Sequence, residues 1–208
     1  MARASFTLTD HRDGKDEAQS VTLQFSGEHY VSNALAASAA APSLRASMEQ
    51  VADALRAATP QSRWRMEVRE APGGITVVND AYNANPESMR AALKTLVAMG
   101  AGRRTWAVLG EMRELGDDAL VEHDALGRLA VRLDISRLVC VGPATRVMHL
   151  AASGEGSWGE ESAHVPDVDA AIAHLREHLR PGDVVLIKAS RSVGLERIAD
   201  ALLSGVTP

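Results

Sequence analysis

Two alternating apolar runs open the chain. Phe6 and Leu8 in Ser5 to Thr9, and Val21, Leu23 and Phe25 in Ser20 to Phe25, repeat with period two on either side of a charged turn, His11 to Glu17. That is the pattern of a hairpin with one face buried. The Ala-rich stretch Tyr30 to Ala41 then predicts a helix ending before Pro42. Leu44 to Ala58 predicts a second, with Met48, Val51, Leu55 and Ala58 at the spacing of an apolar stripe. Thr59-Pro60-Gln61-Ser62 reads as a boundary. Two strands and two helices are too few for a complete sheet and core, so residues 1–62 read as the tail of a larger domain.

Beyond the boundary, short apolar runs alternate with amphipathic ones. Strands are predicted at Met66 to Glu70 and Ile75 to Val78, around the Pro72-Gly73-Gly74 turn, and at Trp106 to Leu109, Leu138 to Val141, Ala163 to Val165 and Asp183 to Ile187. Between them lie helices. Pro86 to Met99 has Met89, Leu93, Leu96 and Val97 inward, and Asp117 to Leu133 has Leu120, Leu126, Leu129 and Leu133 inward. Thr145 to Ala152, Asp167 to Leu179 and Leu195 to Leu203 complete the set, with Ser153 to Ser162 a loop. Strands that alternate with helices predict a mostly parallel sheet covered on both faces, so residues 63–208 read as an α/β, Rossmann-like, doubly wound domain.

Composition narrows the function classes. A net charge of −5 with mixed signs gives no basic footprint for nucleic acid. The seven histidines lack paired ligand spacing, so no metal site is expected. The one cysteine, Cys140, sits in an apolar strand as a buried thiol. The apolar runs fall short of the roughly 20 residues that span a bilayer, and the start Met1-Ala2-Arg3 lacks the core of a signal peptide. A cytoplasmic protein with no membrane association is expected.

In an open α/β sheet, ligands sit outside the carboxyl ends of the strands. Four predicted strand ends carry polar or glycine-rich loops: Asp80-Ala81-Tyr82-Asn83-Ala84-Asn85-Pro86, Gly110-Glu111-Met112-Arg113-Glu114-Leu115-Gly116, Gly142-Pro143, and Lys188-Ala189-Ser190-Arg191-Ser192. Asp80 has the chemistry for a ribose or a cation. Asn83 and Asn85 suit amide or base edges, and Lys188 and Arg191 suit a carboxylate or phosphate. The same residues also make ordinary turns and helix caps, with Pro86 at the first helical position. Neither Gly-x-x-x-x-Gly-Lys-Ser/Thr nor Gly-x-Gly-x-x-Gly occurs, so the chain holds no complete nucleotide motif.

The segment Asp80 to Met89 resembles a signature of the Mur ligase family, in the form carried by members that use D-alanyl-D-alanine. Gly27-Glu28-His29-Tyr30-Val31-Ser32-Asn33-Ala34, Trp64-Arg65-Met66, Leu109 to Gly116 with His123, and Lys188-Ala189-Ser190-Arg191 are similar to further family motifs in the same order. Asn79 and Tyr30 depart from it, where Asp and Asn are common. The resemblance spans essentially the whole chain. It implies that residues 1–62 end an ATP-binding central domain and that residues 63–208 form the C-terminal domain of the ligase.

The activity so implied is ATP-dependent, ADP-forming addition of D-Ala-D-Ala to UDP-MurNAc-tripeptide through an acyl phosphate, in peptidoglycan precursor synthesis. By the same resemblance His29 and Asn33 contact adenine, Arg65 the γ-phosphate and Asp80 the ribose. Tyr82, Asn83 and Asn85 shape the nucleotide and dipeptide site, and Lys188, Ser190 and Arg191 line the amino-acid substrate. The phosphate loop, the Mg2+-binding acidic residues, the modified lysine and the UDP-sugar domain would lie upstream of Met1. The chain is therefore expected to be a monomeric fragment, inactive alone and binding neither ATP nor Mg2+ completely. A sister ligase for another amino acid, or a non-catalytic interaction module, are the alternatives.

Overall fold

The computed structural model describes residues 4–11, 17–24, 29–59, 63–156 and 161–205, with only the backbone of His29, Pro42 and Leu44. Phe25, Gly27, Glu28, Pro60, Gln61 and Ser62, used in the sequence reading, lie outside the described residues. The chain divides into two compact units, Met1–Gln61 and Ser62–Pro208.

In the first unit, β1 (Ser5–Asp10) and β2 (Glu17–Thr22) form an antiparallel hairpin with Phe6 opposite Val21 and Leu8 opposite Gln19. The second strand begins three residues before the expected Ser20, because backbone pairing continues through Glu17, Ala18 and Gln19 without needing apolar side chains. Next come α1 (His29–Ala40) and α2 (Met48–Ala57). Leu8, Val21, Leu23, Ala34 and Ala52 form the core, with Phe6, Tyr30, Met48, Val51 and Leu55 packed against it. The second helix starts at Met48 rather than Leu44. Ser47 caps it, Oγ accepting from the Gln50 N–H at 3.2 Å while Gln50 Oε1 accepts from the Ser47 N–H at 2.9 Å.

The second unit contains β3 (Glu67–Ala71), β4 (Ile75–Asn79), α3 (Pro86–Gly100), β5 (Thr105–Leu109), α4 (Ala119–Arg132), β6 (Arg137–Val141), α5 (Arg146–Glu155), β7 (Ser162–Val165), α6 (Val168–His178), β8 (Val184–Lys188) and α7 (Glu196–Leu203). The sheet order is β3-β4-β8-β5-β6-β7. All neighbours are parallel except β3, which turns back on β4 through Pro72-Gly73-Gly74. Both of these turn glycines have positive φ, which glycine adopts without steric cost. The chain leaves β4, passes over one strand position to β5, continues to β7, and returns to place β8 in the gap. Helices α6 and α7 pack on one face, over Val77, Trp106, Val108, Val139, Val185 and Ile187. Helices α3 and α5 pack on the other, with α4 beside them. The intervening strand residues, Val78, Ala107, Leu109, Cys140 and Leu186, are buried there.

Two expected core residues are on the surface. Val97 is 37% exposed and Leu120 69% exposed. The buried stripe of α3 runs through Met89, Leu93, Leu96 and Gly100, which leaves Val97 roughly 80° around the helix. On α4 the stripe is His123, Leu126, Gly127 and Ala130, with Leu120 roughly 70° off it in the first turn. Burial pushes the Cys140 thiol well above its ordinary range, as an inert thiol requires.

Helices α4 and α5 meet at Gly127, where an added Cβ would lie 2.0 Å from the Met148 carbonyl oxygen. Gly127→Ala gains about 1 kcal/mol in helix propensity. The backbone clash must nonetheless push the helices apart, so a net loss of about 1–3 kcal/mol is expected in urea unfolding. A more stable variant would disprove the close approach.

Candidate functional site

The carboxyl ends of β4, β8 and β5 lie side by side, since β8 is inserted between the other two. Asp80, the first residue past β4, is held by its own N–H donating to the Ile187 carbonyl on β8 at 2.8 Å. Its carboxylate joins two elements. Oδ1 accepts from the Met66 N–H at 3.0 Å, and Oδ2 accepts from Lys188 Nζ at 2.6 Å. Lys188 also donates to the Asn83 carbonyl at 2.8 Å, and its side chain is only 3% exposed. The ammonium thus points across to the β4 loop rather than into solvent.

The rest of that loop is locally tied. Asn79 Oδ1 accepts from the Ala81 N–H at 3.3 Å and Asn83 Oδ1 from the Ala84 N–H at 2.9 Å. Asn85 is the N-cap of α3, its Oδ1 accepting from the Ser88 N–H at 2.8 Å while Ser88 Oγ accepts from the Asn85 N–H at 3.1 Å. Pro86 follows at the first helical position. The turn-and-cap reading and the polar-rim reading therefore hold together. The side-chain oxygen of each asparagine serves the backbone; Asn83 and Asn85 stay exposed, while Asn79 is buried.

Two cations rest on aromatic faces at the same edge. The Arg65 guanidinium lies 4.2 Å from the Tyr82 ring centre, and that of Arg191 lies 4.0 Å from Trp64. The segment that supplies Trp64 and Arg65 is bent by left-handed backbone at two non-glycine residues, Trp64 (φ 60°) and Met66 (φ 46°). Such conformations cost roughly 1–2 kcal/mol each. The Tyr82 N–H donating to the Trp64 carbonyl at 3.0 Å and the Met66 bond to Asp80 hold them in place.

The β5 loop closes against the β8 loop. Gly110 allows this, since a Cβ there would lie 2.7 Å from the Ala189 Cβ. The Ser190 N–H donates to the Glu111 carbonyl at 3.0 Å, and the Arg113 N–H to Ser190 Oγ at 2.9 Å. Buried His123 reaches up from α4. Its Nε2 accepts from the Met112 N–H at 3.0 Å and its Nδ1–H donates to the Ala119 carbonyl at 2.6 Å, which fixes a neutral ring protonated at Nδ1. His123 supports the loop from below.

The geometry brings together Arg65, Asp80, Tyr82, Asn83, Asn85, Lys188, Ser190 and Arg191. Asn33 is an exposed residue of α1 in the first unit, and the side chain of His29 lies outside the described residues. Trp64 and Glu196 belong to the same edge and were missed by sequence reasoning. Trp64 carried a signal, lying next to Arg65 in a quoted motif; Glu196 carried none beyond opening a helix. Among the described residues no three His, Cys, Asp or Glu side chains could hold a metal, and no helix is long and apolar enough to cross a membrane. Chemically the edge carries two partly solvated guanidiniums, groups able to pair with an anion, above a buried lysine–aspartate pair.

Comparison with known proteins points the same way. The family described as Mur ligase, glutamate ligase domain, matches residues 64–191. The UDP-N-acetylmuramoyl-tripeptide--D-alanyl-D-alanine ligase of Mycobacterium tuberculosis H37Rv is 52% identical over 224 residues, covering 100% of this chain and 43% of the relative. The ligase of the same name from Bacillus subtilis is 31% identical over 85% of the chain. A crystal structure of MurF from Acinetobacter baumannii superposes with a TM-score of 0.81 at 28% identity, covering 97% of this chain and 43% of that one. The chain thus spans less than half the length of the relatives it matches.

Proposed function

The chain belongs to the Mur ligase family, and from that premise we propose that it is the C-terminal portion of an ATP-dependent, ADP-forming ligase that adds D-alanyl-D-alanine to UDP-MurNAc-tripeptide. The observation that carries this reading is the 52% identity along the whole chain to ligases of that name. The clustering of Arg65, Asp80 and Arg191 on one sheet edge supports it. Residues 1–62 are the end of the ATP-binding domain and residues 63–208 the C-terminal domain. The ligase works as a monomer in the cytoplasm, on peptidoglycan precursors.

ATP supplies a phosphoryl group that activates the tripeptide carboxylate, and Mg2+ is held by acidic residues outside this chain. Within the chain, Arg65 leaves the Tyr82 face to meet the γ-phosphate, where a guanidinium stabilises developing charge. Asp80 receives the ribose hydroxyls. Its oxygens have lone pairs to spare beyond the bonds to Met66 and Lys188, so the ribose need not displace either. Tyr82, Asn83 and Asn85 wall the site, and Ser190 and Arg191 receive the dipeptide. Lys188 acts from below, orienting Asp80 through their 2.6 Å ion pair.

The test is ADP release with ATP, tripeptide and dipeptide. The 208-residue chain alone is expected to show none, and the longer ligase containing it to show turnover that depends on D-Ala-D-Ala. Turnover by the chain alone would overturn the fragment reading, and preference for a single amino acid would overturn the substrate assignment.

A further inference from the structure

Arg191 is mounted from two sides. The Trp64 indole covers one face of its guanidinium at 4.0 Å, and Glu196 Oε1 accepts from Nη1 at 2.6 Å. The mount joins two distant parts of the chain: Trp64 precedes β3, while Arg191 follows β8 and Glu196, five residues on, is the first residue of α7. Glu196 is mostly buried, its side chain 15% exposed, whereas Arg191 is 47% exposed. The second carboxylate oxygen, Oε2, is buried and has no partner among the described residues. Burying a carboxylate with one oxygen unpaired is unfavourable, so a residue placed there needs its partner. Among the described residues the Glu196 side chain holds only Arg191. A general structural staple would use both oxygens, as the buried Asp183 does.

We propose that Trp64 and Glu196 are positioning residues for Arg191, fixing its guanidinium so that the N–H donors not taken by Glu196 are presented to the carboxylate of the incoming dipeptide. This rests on the functional reading above. A free arginine side chain has many rotamers to lose when it is fixed. Holding the fork before the ligand arrives removes that cost from binding and sets the angle from which a planar, two-oxygen group is accepted. Specificity for a free carboxyl terminus follows, because an amide in its place offers one acceptor and one mismatched donor to the same fork.

Two measurements decide it. In the 208-residue chain, the Arg191 Nε–Hε NMR signal is expected to be displaced by the indole ring current, and to move toward the free-arginine position in both Glu196→Gln and Trp64→Leu. An Arg191 signal already at that position in the unaltered chain would overturn the mount, whatever the ligase does. In the longer ligase, Glu196→Gln is expected to raise KM for D-alanyl-D-alanine about tenfold while changing KM for its C-terminal amide less than about twofold, with Glu196→Asp restoring part of the difference. Equal effects on acid and amide, or an effect on kcat alone, would overturn the positioning role. If the unaltered ligase does not use the dipeptide, the functional reading fails and the substrate half of the inference with it, while the NMR result still decides the mount.

Discussion

Asp183→Ala is expected to destabilise the second unit by about 2–4 kcal/mol, lowering its melting temperature by about 6–12 °C. Asp183 is 2% exposed and lies just before β8, at the opposite end of the strand from Lys188. Its carboxylate accepts from Trp106 Nε1 at 2.9 Å, from Arg104 Nε and Nη2 at 3.0 and 2.6 Å, and from the Arg180 N–H at 2.9 Å. Alanine would leave an indole N–H and a backbone N–H without acceptors, and Arg104 with only the His178 carbonyl, at 2.7 Å, and the Trp106 face. Unpaired donors of this kind cost about 1–3 kcal/mol each where water cannot reach them, and Arg104, 20% exposed, recovers part of its share from solvent. Because the residue lies at the amino-terminal edge, the Arg191 NMR signal should stay where it is in the folded variant. A loss below about 1 kcal/mol would mean that the network is not formed in solution.

The second large effect concerns Asp80 and Lys188, where the two single variants should differ. Asp80→Ala strands an ammonium that is 3% exposed with one carbonyl acceptor, and also frees the Met66 N–H; about 3–5 kcal/mol is expected. Lys188→Met replaces the charge with an apolar chain of similar length, and leaves a carboxylate that is 13% exposed and still bonded to Met66. About 1–3 kcal/mol is expected there. Combining Lys188→Met with Asp80→Ala should then be less damaging than Asp80→Ala alone, since the double variant buries no unpaired charge. Urea unfolding of all four forms measures the coupling. Strict additivity would show that the pair is absent, and with it the proposed support of Asp80 from below.

Much of the layout is carried by local chemistry. The runs at Trp106, Leu138 and Val184 are apolar at every position because both faces of those strands are covered, and Gly110 and Gly142 close the first two. Ser47-Met48-Glu49-Gln50 and Asn85-Pro86-Glu87-Ser88 state two helix starts in four residues each, although the first was read as part of a longer helix. The errors at Val97 and Leu120 arose because a helical stripe is wider than the strip that packs, so residues on its margin are buried or exposed according to what the neighbouring layer covers.

The sequence by itself determined that strands and helices alternate, and a parallel sheet puts every strand's carboxyl end on one edge. It therefore also determined that Asp80, Gly110, Gly142 and Lys188 share that edge. Only the tertiary structure decided who meets whom there. Strand order is set by how helices pack over the sheet, and nothing within Val184 to Lys188 says that this strand lies between β4 and β5. That one placement turns Lys188 from a cation free for a substrate into the buried partner of Asp80. The same holds for Trp64, which is far in sequence from Arg191 and Glu196 and completes their mount only because the chain before β3 lies beside the end of β8.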